Sequence, residues 1–452
     1  MGRITLKQAA AWCGGFVDPK YADVTFLGAN NDTRKIQPGQ LFLALKGVRD
    51  GHDFIPQALE KGAAAVLCEH ADGDFPAIVV PDTRIALGQI ARGERRHRGY
   101  KVVGITGSVG KSTTKEMVAA VLATTYRVAK TPANHNNDIG MPMAILAMPE
   151  DTEVAVLEMG MNHFREMAYL SGVAEPDLAV IINIGTMHIE HLGSQEGILK
   201  AKLEILECMD VNAPVILNGD DKLLSTARIP GRPVTYFGWK NEAAPIRASE
   251  VELTNGCVRF QAEYDGLRYP VELPVEGAHY VPDALAAIAV GQQLRVKPEC
   301  IQQSLALFQN MAGRQEILKV RGYTVISDCY NAGPESMAAA LAVLGAQTGR
   351  RIAVLGDMLE LGACSQAEHY KVGRIAAEKV DFLLAYGPNS DRMLNGAITG
   401  GMVDGKAKAF TDRAELVRAL KRLARSGDVI LFKGSRGMHM EIAMEQFLAD
   451  ER

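Results

Sequence analysis

Long apolar runs are missing from this chain. No uninterrupted stretch reaches the roughly 20 residues that cross a bilayer, so a membrane-spanning protein is not expected. An excess of positive charge is missing too: 49 Lys and Arg face 53 Asp and Glu, a formal net charge of -4. That balance leaves out the basic footprint of a nucleic-acid binder, while local basic sites for small anions stay open. Cysteine is sparse and scattered. Cys13, Cys68, Cys208, Cys257, Cys300, Cys329 and Cys364 show no CxxC spacing of the zinc or redox kind. They read as reduced thiols, which points to the cytoplasm. The stretch from Met1 to Gly14 has neither a long apolar core nor a small-residue cleavage site, so no secretory signal is expected. Internal repeats and low-complexity tracts are also lacking.

What is present is an ordinary globular composition, 47% hydrophobic and 23% charged over 452 residues. At roughly 100–200 residues per domain, two to four domains are expected. Three regions emerge. Residues 1–98 mix short apolar runs with turns; Ala63 to Leu67 and Ala77 to Val80 read as buried strands. The polar, basic stretch Arg92 to Gly99 reads as a boundary. Residues 99–312 open on the strand Val102 to Thr106, then a Gly-rich turn and a helix over Ser112 to Thr125. Val154 to Leu157, Leu178 to Ile182 and Val215 to Leu217 read as further buried strands, and residues 245–275 as a more antiparallel patch. Residues 313–452 alternate again. Thr324 to Ser327, Ile352 to Leu355, Phe382 to Tyr386 and Val429 to Phe432 are strands, and Ser336 to Leu344 and Gln366 to Lys379 are the clearest helices. Such alternation predicts an α/β protein with mostly parallel sheets.

The strongest chemical signal is Gly104-Ile105-Thr106-Gly107-Ser108-Val109-Gly110-Lys111-Ser112. Its core is T-G-S-x-G-K-S, with Ile105 in the register where G-x-x-x-x-G-K-[ST] has its first glycine. The context fits a phosphate loop, since a strand precedes it and a helix follows. Glycines let backbone N–H groups converge on phosphate oxygens, and the helix N-terminus favours an anion. Lys111 would neutralise β and γ oxygens, and Ser112 would ligate Mg²⁺. The bland alternative is a Gly-rich turn beside an exposed lysine. A phosphate loop alone does not name a reaction. GTPases share it, but the Asn-Lys-x-Asp guanine motif is absent.

Glu158 closes a strand near this loop, a good place for a Mg²⁺ ligand, although a solvated strand-end carboxylate would look the same. His188 and His191 follow the next strand; for His188 a ligand and an ordinary loop histidine are equally in keeping with the sequence, and His191 reads more as a loop polar group. Lys200 and Lys202 read, on spacing alone, as helix-surface lysines.

Taken together, the Thr106–Ser112 loop, Glu158 and the His188 segment resemble the Mur ligase family, and the resemblance extends over essentially the whole chain. It implies three α/β domains: a UDP-sugar-binding N-terminal domain, a central P-loop domain and a Rossmann-like C-terminal domain. It implies that Thr33, Arg34 and the turn Gly51, His52 and Asp53 lie at the nucleotide-sugar site. The loop residues Thr106, Gly107, Ser108, Val109, Gly110, Lys111, Ser112 and Thr113, with Asn137 of an Asn-rich segment, would meet ATP. Lys202 falls at the family's Ala-Lys-x-Glu-Ile lysine, which is often carbamylated; with His188 it would hold a second Mg²⁺ beside the one on Ser112 and Glu158. His279 and Asp283 stand near adenine, although the family usually has Asn at Tyr280 and at Asp283. Arg314 resembles the hinge arginine that reaches the γ-phosphate. The segment Asp328 to Ser336 resembles the branch that adds D-Ala-D-Ala, with Asp328 and Asn331 toward the ATP ribose and phosphates. Asp357, Ser435 and Arg436 would lie near the incoming dipeptide. Lys111, His188, Lys202 and Arg314 are the expected catalytic set. The implied activity is ATP-driven ligation of D-Ala-D-Ala to a UDP-MurNAc-tripeptide by a monomer. A sibling amide ligase, such as the third-residue-adding enzyme or a folylpolyglutamate synthetase, is the nearest alternative. The third-residue enzyme's Asp-Asn-Pro-Arg-like motif is absent. A nucleotide-binding regulator without ligase chemistry would account for the loop but not for the other residues.

Overall fold

The computed structural model describes residues 4–254 and 256–449. Met1 to Arg3, at the head of the Met1–Gly14 stretch, and Asn255, within the antiparallel patch, lie outside them. Parallel strands buried on both faces should be apolar, and these are, save at their ends. Lys101–Thr106, Val154–Glu158, Leu178–Ile181 and Val215–Asn218 lie side by side in a nine-stranded sheet. Val128–Lys130 closes one edge. Val234–Gly238 and Ile246–Thr254 extend the other, and the antiparallel hairpins of Cys257–Tyr264 and Leu267–Leu273 follow.

The alternation of strand side chains builds a core on each face. Val102 joins one core with Leu87, Ile90 and Leu170, whereas Val103 and Ile105 join another with Met117, Val118 and Leu285. The helices Lys111–Ala123 and Tyr280–Gln293 therefore cover one face. Glu166–Ala174, Gln195–Leu203 and the N-terminal region's Thr83–Arg98 cover the other.

The chain runs from Lys101–Thr106 out to the Val128–Lys130 edge, back through Val154–Glu158, and then across to the far side of the first strand. That reversal opens a crevice at the strands' carboxyl ends, the place where α/β sheets bind ligands.

The N-terminal region carries a small parallel sheet of Ala29–Asn30, Leu41–Leu43, Ala65–Cys68 and Ala77–Val79. The basic Arg92 to Gly99 stretch forms the last turns of the helix Thr83–Arg98, ended by Gly99 at φ 67°. Its arginines dock on the central domain: Arg92 and Arg96 hold Glu175, and Arg95 holds Asp177 at 2.7 Å. The polar composition that suggests a boundary in the sequence is an interdomain ion-pair face.

In the C-terminal region, Tyr323–Asp328, Val429–Lys433, Arg351–Gly356, Phe382–Tyr386 and Ala407–Phe410 form a parallel sheet, with Glu316–Val320 antiparallel at its edge. The edge strands Glu316–Val320 and Ala407–Phe410 are short and mix polar with apolar residues, too weak a signal to read from the sequence. No helix among the described residues is long and apolar enough to cross a membrane.

Candidate active site

The crevice is a cleft of about 520 Å³ between the central and C-terminal domains. At its floor, Gly110 caps the helix Lys111–Ala123 with φ 85°, and Lys111 begins the helix. Gly110 can carry no side chain, because a Cβ there would lie 2.5 Å from Asp283 Oδ1. The Lys111 amine donates to the carbonyls of Gly107 and Ser108 at 2.8 and 3.1 Å. Lys202 donates to that same Gly107 carbonyl at 2.9 Å. Lys202 is 2% exposed. The helix-surface reading therefore fails for Lys202 while holding for Lys200, whose amine lies over the exposed Phe164 ring. Burial, and then the neighbouring Lys111, hold the Lys202 amine well below its ordinary pKa. Burial lowers Lys111 as well, and Arg314 adds to this while Glu158 opposes it. Two lysine amines thus share one neutral carbonyl, and neither has a carboxylate among its hydrogen-bond partners.

The counter-charge nearby is Glu158, 2% exposed at the end of its strand. It accepts from Ser112 Oγ at 2.7 Å and from Asn136 Nδ2 at 2.7 Å. Lys115 stands 3.9 Å away and donates to the carbonyl of Thr131. Lys115 and Asn136 escape the sequence reading. Lys115 could have been found, since it lies one helical turn beyond Ser112 and so faces the same way. Asn137 turns to a local task, its Oδ1 accepting from Gly140 N at 2.8 Å where the next helix starts.

Asp283 is 4% exposed and accepts from Thr114 Oγ1 at 2.8 Å. Burial pushes its carboxyl up to about 8, against the opposing pull of Thr114 and Arg314. His279 lines the same wall, and burial pushes its imidazole down to about 4.

The C-terminal domain closes the opposite wall. Arg314 donates to Ser112 Oγ at 2.8 Å and stacks 4.0 Å over the Tyr330 ring. Asp328 and Asn331 line the cleft, both tied to Lys433: its amine donates to Asp328 Oδ2 at 2.6 Å and to the Asn331 carbonyl at 3.0 Å. His188, at φ 64°, pairs through Nδ1 with Glu360 Oε2 at 2.5 Å. His191 leaves this set and stacks against His163, 4.5 Å between ring centres.

Family models match along the whole arrangement: a Mur ligase family catalytic domain at residues 24–95, a Mur ligase middle domain at 105–291, and a Mur ligase glutamate ligase domain at 313–436. UDP-N-acetylmuramoyl-tripeptide–D-alanyl-D-alanine ligase of Bacillus subtilis is 40% identical, covering 97% of this chain and 96% of its own. This chain belongs to the Mur ligase family. Among solved structures, MurF from Acinetobacter baumannii superposes with a TM-score of 0.91 at 34% identity, over 99% of both chains. MurF ligase from Thermotoga maritima, in complex with ADP, gives 0.82 at 29% identity over 93% of this chain and 97% of its own.

The remaining expected residues of this Mur ligase lie away from the cleft floor. Thr33 Oγ1 donates to Gln57 at 2.6 Å, and Arg34, its side chain 84% exposed, pairs with Asp32. His52 is buried between Asp50, on its Nδ1 at 2.6 Å, and the Glu69 N–H, on its Nε2 at 2.9 Å. Gly51 packs against the Ala44–Leu45 backbone, where a Cβ would come within 2.6 Å. Asp53 lies in the short 3-10 helix Gly51–Phe54. Asp357 is 1% exposed and does not line the cleft; its carboxylate accepts from the backbone and side chain of Asn389 at 3.0 and 2.9 Å. Ser435 is buried, bridging Leu359 N and the Ala332 carbonyl. Arg436 is exposed near Glu441 at 3.5 Å.

Proposed function

We propose that the protein joins D-Ala-D-Ala to a UDP-MurNAc-tripeptide at the expense of ATP. The products are UDP-MurNAc-pentapeptide, ADP and phosphate, and the step belongs to peptidoglycan precursor synthesis. The observation that carries the reading is the pair Lys111 and Lys202 on the Gly107 carbonyl, at the foot of a Gly-rich loop and helix N-terminus. This is a site that favours a polyanion. The full-length likeness to UDP-N-acetylmuramoyl-tripeptide–D-alanyl-D-alanine ligases supports this choice of ligation.

The tripeptide's terminal carboxylate oxygen attacks the γ-phosphorus of ATP; the bond from that phosphorus to the bridging oxygen breaks, and ADP leaves. The amine of D-Ala-D-Ala attacks the resulting acyl carbon, the acyl–oxygen bond breaks, phosphate leaves, and the nitrogen gives up a proton. Both halves bring anions together, so the chain's task is charge neutralisation and positioning. Lys111 and the loop N–H groups of Thr106 to Thr113 hold the phosphates. Arg314, fixed by Ser112 and Tyr330, follows the charge as it moves onto the γ-phosphate. His279 and Asp283 face adenine, Asn137 the nucleotide, and Asp328 and Asn331 the ribose and phosphates. Thr33, Arg34, Gly51, His52 and Asp53 serve the UDP-sugar. Ser435 and Arg436 serve the dipeptide, with Asp357 shaping that wall through Asn389.

Among the described residues no ready-made cage of three His, Cys, Asp or Glu exists. Magnesium does not need one, since it takes one or two protein oxygens and completes its shell with phosphates and water. Ser112 and Glu158 are such hard oxygen donors. His188 and a carbamate on Lys202 are the residues that would hold a second ion. Glu360 on His188 Nδ1 leaves Nε2 for a ligand, the usual carboxylate–histidine–metal arrangement. Held by these residues, Mg²⁺ would supply positive charge to offset that of the carboxylate and phosphate anions. The depressed Lys202 amine suits carbamylation, in which its neutral nitrogen adds to CO₂ and releases a proton. Domain limits at 1–98, 99–312 and 313–452, a monomeric state and a cytoplasmic setting complete the proposal.

The test is phosphate release with the UDP-tripeptide, with and without D-Ala-D-Ala. Turnover that requires both substrates, with the pentapeptide seen by mass spectrometry, is expected. Turnover with a free amino acid in place of the dipeptide would move the protein to a sibling ligase.

A further inference from the structure

Three residues after the strand Leu178–Ile181 connect the two walls of the cleft. Asn183 grips the phosphate loop: its Oδ1 accepts from Ser108 N at 3.0 Å and Val109 N at 2.9 Å, and its Nδ2 donates to the Val109 carbonyl at 3.0 Å. Gly185 N donates to Ser108 Oγ at 2.9 Å. Beside it, Thr186 donates to Glu335 of the C-terminal domain, from its backbone at 2.9 Å and from its hydroxyl at 3.1 Å. The carboxylate rests on Gly185, where a Cβ would come within 2.9 Å of it. Glu335 lies in the first turn of the helix Pro334–Gly345, whose N-terminal field favours a carboxylate there. Within the Asp-x-Tyr-Asn-Ala-x-Pro-x-Ser segment it occupies an unspecified position, so the motif does not account for it.

We propose that Glu335 is a positioning residue that couples docking of the C-terminal domain to the phosphate loop through Thr186, Gly185 and Ser108. The segment is short, and Ile184 between its two ends is fixed by Asp221 Oδ2 at 2.8 Å. Pulling Thr186 toward Glu335 sets Gly185 N, which sets the Ser108 hydroxyl and so the adjoining loop N–H groups. Nucleotide binding should therefore favour the docked domain, and docking should favour the nucleotide, by the same factor. The inference rests on the assignment of the Thr106–Ser112 loop to phosphate.

Calorimetric titration of the full chain with a non-hydrolysable ATP analogue tests it without either ligation substrate. Glu335→Ala should weaken binding about fivefold to tenfold, within the usual range of coupling between sites. Glu335→Gln keeps an acceptor oxygen for both Thr186 donors and should restore most of the affinity. Combining Glu335→Ala with Ser108→Ala should cost less than the product of the single losses, because both cut one path. Unchanged affinity in Glu335→Ala, no rescue by Glu335→Gln, or strictly multiplicative losses would each overturn the coupling. Should Glu335→Ala not fold, Thr186→Val takes its place, with a smaller loss expected and none overturning the idea. Wild-type protein that binds no analogue would overturn the loop assignment itself.

Discussion

Replacing Asp283 by Asn should make the central domain more stable, and increasingly so as pH rises. The carboxyl is buried under the phosphate loop, and desolvation pushes it from 3.8 to about 8. Between those values the folded chain holds a proton that the unfolded chain has lost. Stability from this group is complete below 3.8 and drains away as pH climbs toward 8. The slope is about 1.4 kcal/mol per pH unit, so from pH 5 to pH 7 the wild type should lose about 3 kcal/mol through this site alone. Asn keeps Oδ1 as acceptor for the Thr114 hydroxyl and has nothing to titrate. The gap between variant and wild type should therefore widen by about 3 kcal/mol over that range, which for a domain of this size is about 6–12 °C. Thermal unfolding of both proteins without nucleotide, followed at several pH values by calorimetry, measures it. Melting curves that stay parallel from pH 5 to pH 7 would refute the argument, because they would mean that Asp283 is ionised in the folded protein.

Lys111→Ala should abolish phosphate release while the thermal transition survives, since its amine bonds only to loop carbonyls; retained ligation would contradict its assignment. Arg314→Ala should lower kcat about 10²- to 10³-fold, the scale of one transition-state charge partner. Arg314→Lys should recover only part of that, having lost the planar stack on Tyr330, and wild-type turnover in either variant would remove the role. Lys202→Met should raise the melting temperature and eliminate activity together; a destabilised protein would show that the buried amine is structural. With ¹³C-labelled bicarbonate, a carbamate resonance is expected in the wild type and not in Lys202→Met.

What the sequence makes legible is what is local. Lys101–Thr106 is a run of apolar residues followed at once by glycines and a helix, and each of these features acts within a few residues of the next. Strand-end positions such as Glu158 follow from the same logic. What stays hidden is what the fold brings from afar. Glu335 meets Thr186 across 149 residues and Glu360 meets His188 across 172, and no periodicity records such pairings. Lys202 occupies a helix position that looks solvated until the loop folds over it. Asn136 and Asn137 are equivalent in sequence, and only the turn beginning at Ala133, φ 44°, decides which of them reaches Glu158. The basic stretch Arg92 to Gly99 falls where one matched domain gives way to the next, but what its charges do there is hidden for the same reason. Its charges are polar in composition but paired in space, because Glu175 and Asp177 lie on a separate element of the central domain.

The cleft violates the rule that buried charges come in matched pairs, and the violation itself carries information. Lys111, Lys115 and Arg314 gather about the buried Glu158 carboxylate, and Lys202 shares the Gly107 carbonyl with Lys111 and has no carboxylate of its own, although an unpaired ammonium in a low-dielectric site costs several kcal/mol. A structural network would have added a second carboxylate beside Gly107; the chain instead places backbone carbonyls there, which can hold an ammonium without neutralising it. Each carbonyl contact is weak enough to exchange for a stronger partner, and a triphosphate is the stronger partner. Asp283 obeys the same economy with the opposite sign, remaining uncharged where a carboxylate would repel phosphate through Gly110. The Gly107 and Gly110 positions of the loop are thus kept clear of negative charge, and stability is given up at Lys202 and Asp283 so that the anion binds where the chemistry occurs.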